Sequence, residues 1–390
     1  MRFSILRSEL LARLNFLMGV VERRNTMPIL ANVLLEVKNQ KLKLTGTDLE
    51  VELVAEANLL IGENSPIQEG RLTIPARKLF DICRSLPEEA VLSLEADDKH
   101  RPVVVSGKSR FLLSSLPAED FPSIHENKIK FTTTGIKIPQ KFLLKLFKKT
   151  HFAMASQDVR YFLNGLLFDI KPGKIKVVAT DGHRLALASD QFGKEIKEIK
   201  DKEPEALMGV ASGINLQVIL PRKAVIELMH LLQESDTMVS LSFGQNHFRA
   251  ELEGYQFTSK LIDGRYPDYT RVIPNLSKNL IKVETESLRA GLSKAAILAN
   301  EKFRRVVLKI FPNLIHIFAN NPEQEKAEDE VFVDYAGKEI EIGFNVNYLL
   351  DALSTLGEKA EISLENENSS AMIKAAGDDS SLYVVMPIRL

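Results

Sequence analysis

The chain has 390 residues, 45% hydrophobic and 26% charged, with a formal net charge of −1 and one cysteine. That length exceeds one ordinary core and suits two or three domains, and the composition excludes a disordered or fibrous chain. The lone Cys83 excludes a disulfide framework and a cysteine-ligated metal, and a charge near zero offers a polyanion no overall attraction.

In chain order, MRFSILRSELLARL reads as a strand running into an amphipathic helix. It has neither the apolar core nor the cleavage site of a signal peptide. No uncharged apolar run approaches the roughly 20 residues of a membrane span. With Cys83 expected as a buried, inert thiol, the chain fits a reducing cytoplasm.

Three related hairpins follow, the pattern of an internal repeat. The first starts at Asn32 (NVLLEVKNQKLKLTGTDLE), the second at Asn164 (NGLLFDIKPGKIKVVATDGHR) and the third at Arg305 (RVVLKIFPNLIHIFANNPEQE). Each turns at Asn39-Gln40, Pro172-Gly173 or Pro312-Asn313 and ends at a polar corner, Thr47-Asp48, Thr180-Asp181 or Asn320-Asn321.

A helical segment precedes each hairpin, from Ser8, Pro139 and Ser287, and another follows, from Pro75, Pro221 and Asn345. Pro75 and Pro221 sit at helix starts, where a missing N–H costs little. Alternating strands close each copy: AVLSLEA with RFLLSSL, MVSLSFG with YQFTSKL, and AEISLEN with LYVVMPI. The fold class is therefore α+β, with three tandem units of two helices packed on about eight antiparallel strands. Boundaries fall near Asn127 and Pro274, which gives domains 1–127, 128–274 and 275–390. The middle copy carries an insertion, Gln191–Gly213, expected as an exposed loop.

Charge is segregated. The six helical stretches together carry +9, which leaves −10 for the rest of the chain. The segment 139–150 sets Phe142, Leu143, Leu146 and Phe147 on one face and Lys141, Lys145, Lys148 and Lys149 on the other. If the helices share a surface, it is a positive field that attracts nucleic-acid phosphates without reading sequence.

Other motifs carry little. Gly107-Lys108-Ser109 lacks the glycine a phosphate-binding loop needs at position 102, which is Pro, and a strand follows it. His183 lies beside Asp181 and Arg184, but no nucleophile, base and orienter assemble from local sequence, so a binding rim suits it better. Gly264–Tyr269 reads as a turn into an interdomain connection, matching LPAEDFPSI in the first copy, and also as a groove wall. The terminus YVVMPIRL is apolar to its end and reads as a last strand or a groove.

With the GTDLE and ATDGHR corners, QDVRYFLNG, DGRYPDY, NNPEQE and VVMPIRL in hand, the chain resembles the bacterial β sliding clamp family, processivity subunits of the replicative DNA polymerase. The resemblance runs from Met1 to Leu390. It implies a non-catalytic, cofactor-free and metal-free protein. It also implies a head-to-tail homodimeric ring with helices lining a hole for double-stranded DNA and sheets outside.

By the same resemblance, Arg24, Arg77, Gln157, Tyr161 and Phe162 contact DNA, with Phe162 replacing a frequent Tyr and losing its hydroxyl. A pocket for linear motifs of the polymerase III catalytic subunit, the clamp loader and repair polymerases comprises Leu163, Thr180, Gly182, His183, Arg184, Leu185, Pro267, Arg271, Val272, Ser370, Val384, Met386, Pro387 and Arg389. The dimer contact sets Phe111 and Leu113 against Ile297 and Leu298, with Lys78 and Arg110 near Glu323 and Glu325. The competing reading is a monomeric DNA-binding scaffold using the same pocket without ring closure. An enzyme ranks third.

Overall fold

The computed structural model describes residues 1–22, 27–62, 66–96, 101–122, 124, 129–191, 215–276 and 280–389. Arg24, the boundary at Asn127 and the insertion beyond Gln191 lie outside the described residues.

Each third of the chain carries eight strands and two helices among the described residues. The first holds β1 (Arg2–Leu6), α1 (Arg7–Val20), β2 (Asn32–Lys38), β3 (Lys41–Thr47), β4 (Val51–Asn58), β5 (Gly70–Pro75), α2 (Ala76–Ser85), β6 (Val91–Ala96), β7 (Pro102–Ser106) and β8 (Ser109–Leu112). The middle holds β9 (Phe131–Pro139), α3 (Gln140–Lys148), β10 (Gly165–Lys171), β11 (Lys174–Thr180), β12 (Arg184–Gln191), β13 (Leu216–Pro221), α4 (Arg222–Leu231), β14 (Met238–Gly244), β15 (His247–Leu252) and β16 (Tyr255–Lys260). The last holds β17 (Leu280–Glu284), α5 (Thr285–Ala296), β18 (Arg305–Phe311), β19 (Leu314–Asn320), β20 (Lys326–Phe332), β21 (Ile340–Asn345), α6 (Val346–Leu353), β22 (Lys359–Ser363), β23 (Ala371–Ala375) and β24 (Ser381–Val385).

Local chemistry accounts for these elements. Asn39 and Gln40 take φ of +50° and +62°, the left-handed pair a two-residue hairpin turn requires. Gly173 and Asn313 supply the positive φ at the equivalent turns. Pro75 and Pro221 end their strands directly before α2 and α4. In α1, Leu10, Leu14, Leu17 and Val20 recur at helical spacing and are buried. Gly107-Lys108 is the turn between β7 and β8, with Gly107 at φ +56°.

The compact units do not follow the thirds. One unit comprises Met1–Lys141 and Ile226–Leu261, the other Phe142–Val225 and Ile262–Leu390. Sheet pairing is the reason. In the first unit an eight-stranded sheet runs β5-β2-β3-β4-β16-β15-β14-β9, so four strands of the first third join four of the middle third along β4 and β16. In the second, the order β13-β10-β11-β12-β24-β23-β22-β17 joins the rest of the middle third to the last along β12 and β24. Each unit also has a four-stranded sheet, β1-β6-β7-β8 in the first and β20-β19-β18-β21 in the second.

In the first unit α1 packs on α2 and on β4. Arg13 ties it down, donating from Nε to the Glu56 carbonyl at 2.8 Å and from Nη1 to the Tyr255 hydroxyl at 3.3 Å. Cys83 is fully buried on the inner face of α2, and burial pushes its thiol up to about 12. In the second unit α5 packs on α6 and on β19 and β20. No described helix is long and apolar enough to cross a membrane.

Candidate functional site

The middle corner is built by one polar device. Thr180 Oγ1 donates to the Arg184 carbonyl at 2.6 Å and accepts from the Gly182 N–H at 3.1 Å. Asp181 Oδ1 accepts from the His183 and Arg184 N–H groups at 2.9 and 3.0 Å. The first corner repeats this bond for bond: Thr47 Oγ1 donates to the Val51 carbonyl at 2.8 Å and accepts from Leu49 at 3.1 Å. Asp48 Oδ1 there accepts from Glu50 and Val51 at 2.9 and 2.7 Å. Short Thr and Asp side chains stand in for backbone partners at a tight bend. The two corners differ in what stands on them, Gly182-His183-Arg184 against Leu49-Glu50-Val51.

At the middle corner a cavity of about 260 Å³ opens. Its buried apolar wall is Leu163, Leu185 and Val384, each 3% accessible or less. Val384 arrives because β24 pairs with β12, Leu185 opposite Val384. Pro267, Tyr269 and Val272, from the segment following β16, and Met386, just after β24, line it as well. Thr180, Gly182 and Arg184 supply its polar side. The floor continues into a cluster of Leu167, Val178, Leu187, Ile219 and Tyr266. Mostly apolar walls with a few fixed polar groups suit a short peptide's anchoring side chains.

Arg184 is locked. Its Nε donates to Asp181 at 3.0 Å, Nη1 to Asp351 at 2.5 Å and Nη2 to the Phe152 carbonyl at 2.6 Å. Its guanidinium lies over the rings of Tyr348 and Phe152, 4.4 and 5.5 Å from their centroids. The arrangement makes Arg184 a rigid wall, with cation–π contact on its flat faces.

Arg160 on the lining had not been expected, whereas Asp268 and Tyr269 end the stretch read as a groove wall. Arg160 donates to both oxygens of Asp158, at 3.0 and 2.8 Å, and reaches the Asp181 carbonyl at 3.3 Å. Those bonds pull the Asp158 carboxyl down to about 2. Asp268 and Tyr269 also face the cavity. Arg160 lies inside the QDVRYFLNG motif and Tyr269 inside DGRYPDY, so a signal existed for both. Nothing local to Tyr348 or Asp351 announced their place behind Arg184.

Five expected pocket residues are not on the lining of the cavity. His183 is an exposed rim residue whose carbonyl accepts from Met386 N–H at 2.9 Å. Arg271 is exposed and paired with Asp268 at 2.9 Å. Ser370 is half-buried just before β23, while Pro387 and Arg389 flank Ile388, whose N–H donates to the Gly343 carbonyl at 2.8 Å.

Among the expected DNA contacts, Arg77 is exposed on the first turn of α2 and pairs with Asp81 at 3.3 Å. Gln157 takes a left-handed φ of +59°, and Tyr161 is 57% exposed. Phe162 is half-buried, packs against the cluster under the cavity and lines the cavity itself.

The lysines of α3 and its end are not bare charges. Lys141 pairs with Asp236 at 2.7 Å and Lys145 with Asp190 at 3.5 Å. Lys149 contacts the Ser380 and Ser381 hydroxyls at 3.1 Å and Asp378 at 3.7 Å, and burial lowers its pKa. The positive field is thus weaker than the sequence tally of +9.

Of the expected dimer residues, Ile297 is 77% exposed, Phe111, Leu113 and Leu298 are half-buried, and Lys78, Arg110, Glu323 and Glu325 are exposed. Among the described residues no group of three or more His, Cys, Asp or Glu side chains is placed to hold a metal ion.

Three tandem copies of one α+β unit, joined through shared sheets and bearing a peptide-sized pocket, are the build of the sliding-clamp class. Models of the DNA polymerase III beta subunit match the chain as N-terminal domain over residues 1–125, central domain over 137–268 and C-terminal domain over 270–389. The beta sliding clamps of Pseudomonas putida and Escherichia coli K12 are 46% and 44% identical to it over all of both chains. The crystal structure of the DNA polymerase III subunit beta from Pseudomonas aeruginosa matches all of both chains with a TM-score of 0.89 at 46% identity. The chain belongs to the DNA polymerase III beta-subunit family, the beta sliding clamps, and a sliding-clamp role in DNA replication goes with that membership.

Proposed function

We propose that two copies close head to tail into a ring around duplex DNA, and that the ring carries the replicative polymerase through the pocket at Gly182. The observation that supports closure is the pattern of complete and incomplete sheets. Each eight-stranded sheet consists of two four-strand halves joined along β4 and β16 or β12 and β24. The two four-stranded sheets are one half of each kind, and among the described residues β8 and β20, the edges equivalent to the joined β16 and β24 and to β4 and β12, have no second partner strand. Such edges invite pairing. Joining β20 of one copy to β8 of another completes both sheets, and the same head-to-tail contact made twice closes a ring.

The internal joints supply a register. Thr258 faces Glu52 across β16 and β4, and Val384 faces Leu185 across β24 and β12. Lys326 takes the place of Glu52 and Leu185, since Asn320 pairs with it as Thr47 pairs with Glu52 and Thr180 with Leu185. Leu112 takes the place of Thr258, each the third residue after its hairpin closes. Leu112 therefore faces Lys326, Phe111 faces Ala327 and Arg110 faces Glu328. Leu113, Ile297 and Leu298 add apolar contact, and Lys78 with Glu323 and Glu325 adds complementary charge that steers association.

The three clamp domains span 1–127, 128–274 and 275–390, with helices lining the hole and strands outside. Arg24, Arg77, Gln157 and Tyr161 meet phosphate or sugar without reading bases. Lysines already paired with aspartates hold DNA weakly, which suits sliding, since each tight phosphate contact would deepen the trap at one position. Retention is topological. Phe162, on the lining of the cavity, serves the peptide pocket. The polymerase III catalytic subunit, the clamp loader and repair polymerases compete for that pocket. The clamp works in the cytoplasm as a homodimer and performs no catalysis.

The test is retention after loading at moderate salt. A closed circular duplex should keep the protein, and cutting the circle once should release it. Equal loss from both forms would refute topological holding.

A further inference from the structure

The chain has nine methionines. Among the described residues only Met27 and Met386 are exposed, at 42% and 36%, whereas Met154 and Met372 are 3% and 6% accessible. Met386 differs from Met27 in lining the cavity at Gly182. Its backbone N–H, bonded to the His183 carbonyl at 2.9 Å, holds it at the rim. A methionine that solvent reaches therefore forms part of an apolar binding wall.

We propose that Met386 is a reversible oxidation site through which peroxide weakens partner binding; this rests on the reading of the cavity as a peptide pocket. The sulfur lone pair attacks one oxygen of hydrogen peroxide and the O–O bond breaks. The thioether becomes a sulfoxide, oxidised by two electrons, and the peroxide's other oxygen leaves as water. The new S=O dipole joins a lining in which Leu163, Leu185, Val272 and Val384 have no side-chain donor. Arg184 has three of its five N–H groups directed at Asp181, Asp351 and the Phe152 carbonyl, which fixes its side chain in place. An incoming apolar side chain must bury the polar oxygen against its own apolar surface or forgo the contact. Methionine at an adaptable binding surface works because it is apolar and flexible, and oxidation removes the first property. Reduction by methionine sulfoxide reductases restores it.

The experiment measures binding of a dye-labelled peptide copied from the polymerase catalytic subunit, before and after hydrogen peroxide, with mass spectrometry reporting oxygen on Met386. Each protein is compared with its own untreated form. The unsubstituted chain should bind about tenfold more weakly after treatment, and the reductase should reverse the loss. Met27→Leu should keep this sensitivity and Met386→Leu should lose it. If untreated protein does not bind the peptide, the pocket reading itself falls, and this proposal with it. If untreated protein binds and Met386 oxidises without changing affinity, or resists oxidation while Met27 is oxidised, the oxidation switch alone is wrong.

Discussion

Replacing Gly182 with Leu transplants the first corner onto the middle one. The backbone tolerates it in one respect, since Leu49 already takes φ +77° at the equivalent place and Gly182 takes +89°. A left-handed non-glycine residue costs about 1–2 kcal/mol, so the second unit should melt a few degrees lower and remain folded. A Cβ at Gly182 would stand 2.9 and 3.0 Å from the two Arg160 guanidinium nitrogens, the far end of a side chain that can move at the expense of its Asp158 bonds. The rest of the leucine points at a cavity of only about 260 Å³. Denying a peptide one Leu-sized anchor forgoes about 1.5–3 kcal/mol, or roughly 10- to 150-fold in Kd. Fluorescence anisotropy with the polymerase peptide reads the affinity, and sedimentation confirms an unchanged mass. A folded Gly182→Leu protein that binds within twofold of the original would refute the placement of the site.

The proposed ring register predicts that Leu112→Cys combined with Lys326→Cys forms a covalent dimer on mild oxidation, seen on a non-reducing gel. Leu112→Cys with Ala327→Cys, one residue out of register, should crosslink much less. Met386→Glu, or removal of residues 386–390, should abolish peptide binding with the dimer intact; unchanged peptide affinity would place the site elsewhere. Cys83 gives a pH signature. Its thiol is raised in the folded state from 9.0 to about 12. The stabilisation it contributes is fully present below pH 9 and is lost as pH rises toward 12, at up to about 1.4 kcal/mol per unit. Denaturation at pH 8 and pH 10.5 should show a steeper loss for the unsubstituted chain than for Cys83→Ala, and parallel curves would contradict this.

Much of this protein was legible residue by residue. Hairpin turns at Asn39-Gln40 and Pro172-Gly173, prolines before α2 and α4, and the apolar stripe of α1 are short-range facts, decided by backbone sterics and spacing within a few residues. Because the same signals recur at matching intervals, they also disclosed the threefold repeat. The corner Thr180–Arg184 was readable for a like reason, since its Thr and Asp side chains bond backbone groups two to four residues away.

The tertiary structure decided what pairs across distance. Which half-sheets join, and so which edges stay open, depends on β4 meeting β16 and β12 meeting β24. That pairing brings Val384 and Met386 to Gly182, and Asp351 behind Arg184. It also placed Phe162, which the family resemblance assigns to DNA, on the lining of the cavity. A tally of lysines sums formal charges, but a field depends on neighbours. Asp190 and Asp378 reach Lys145 and Lys149 only through the folded chain. Local sterics are written in adjacent residues; burial and charge pairing are properties of surfaces that exist only after the sheets have closed.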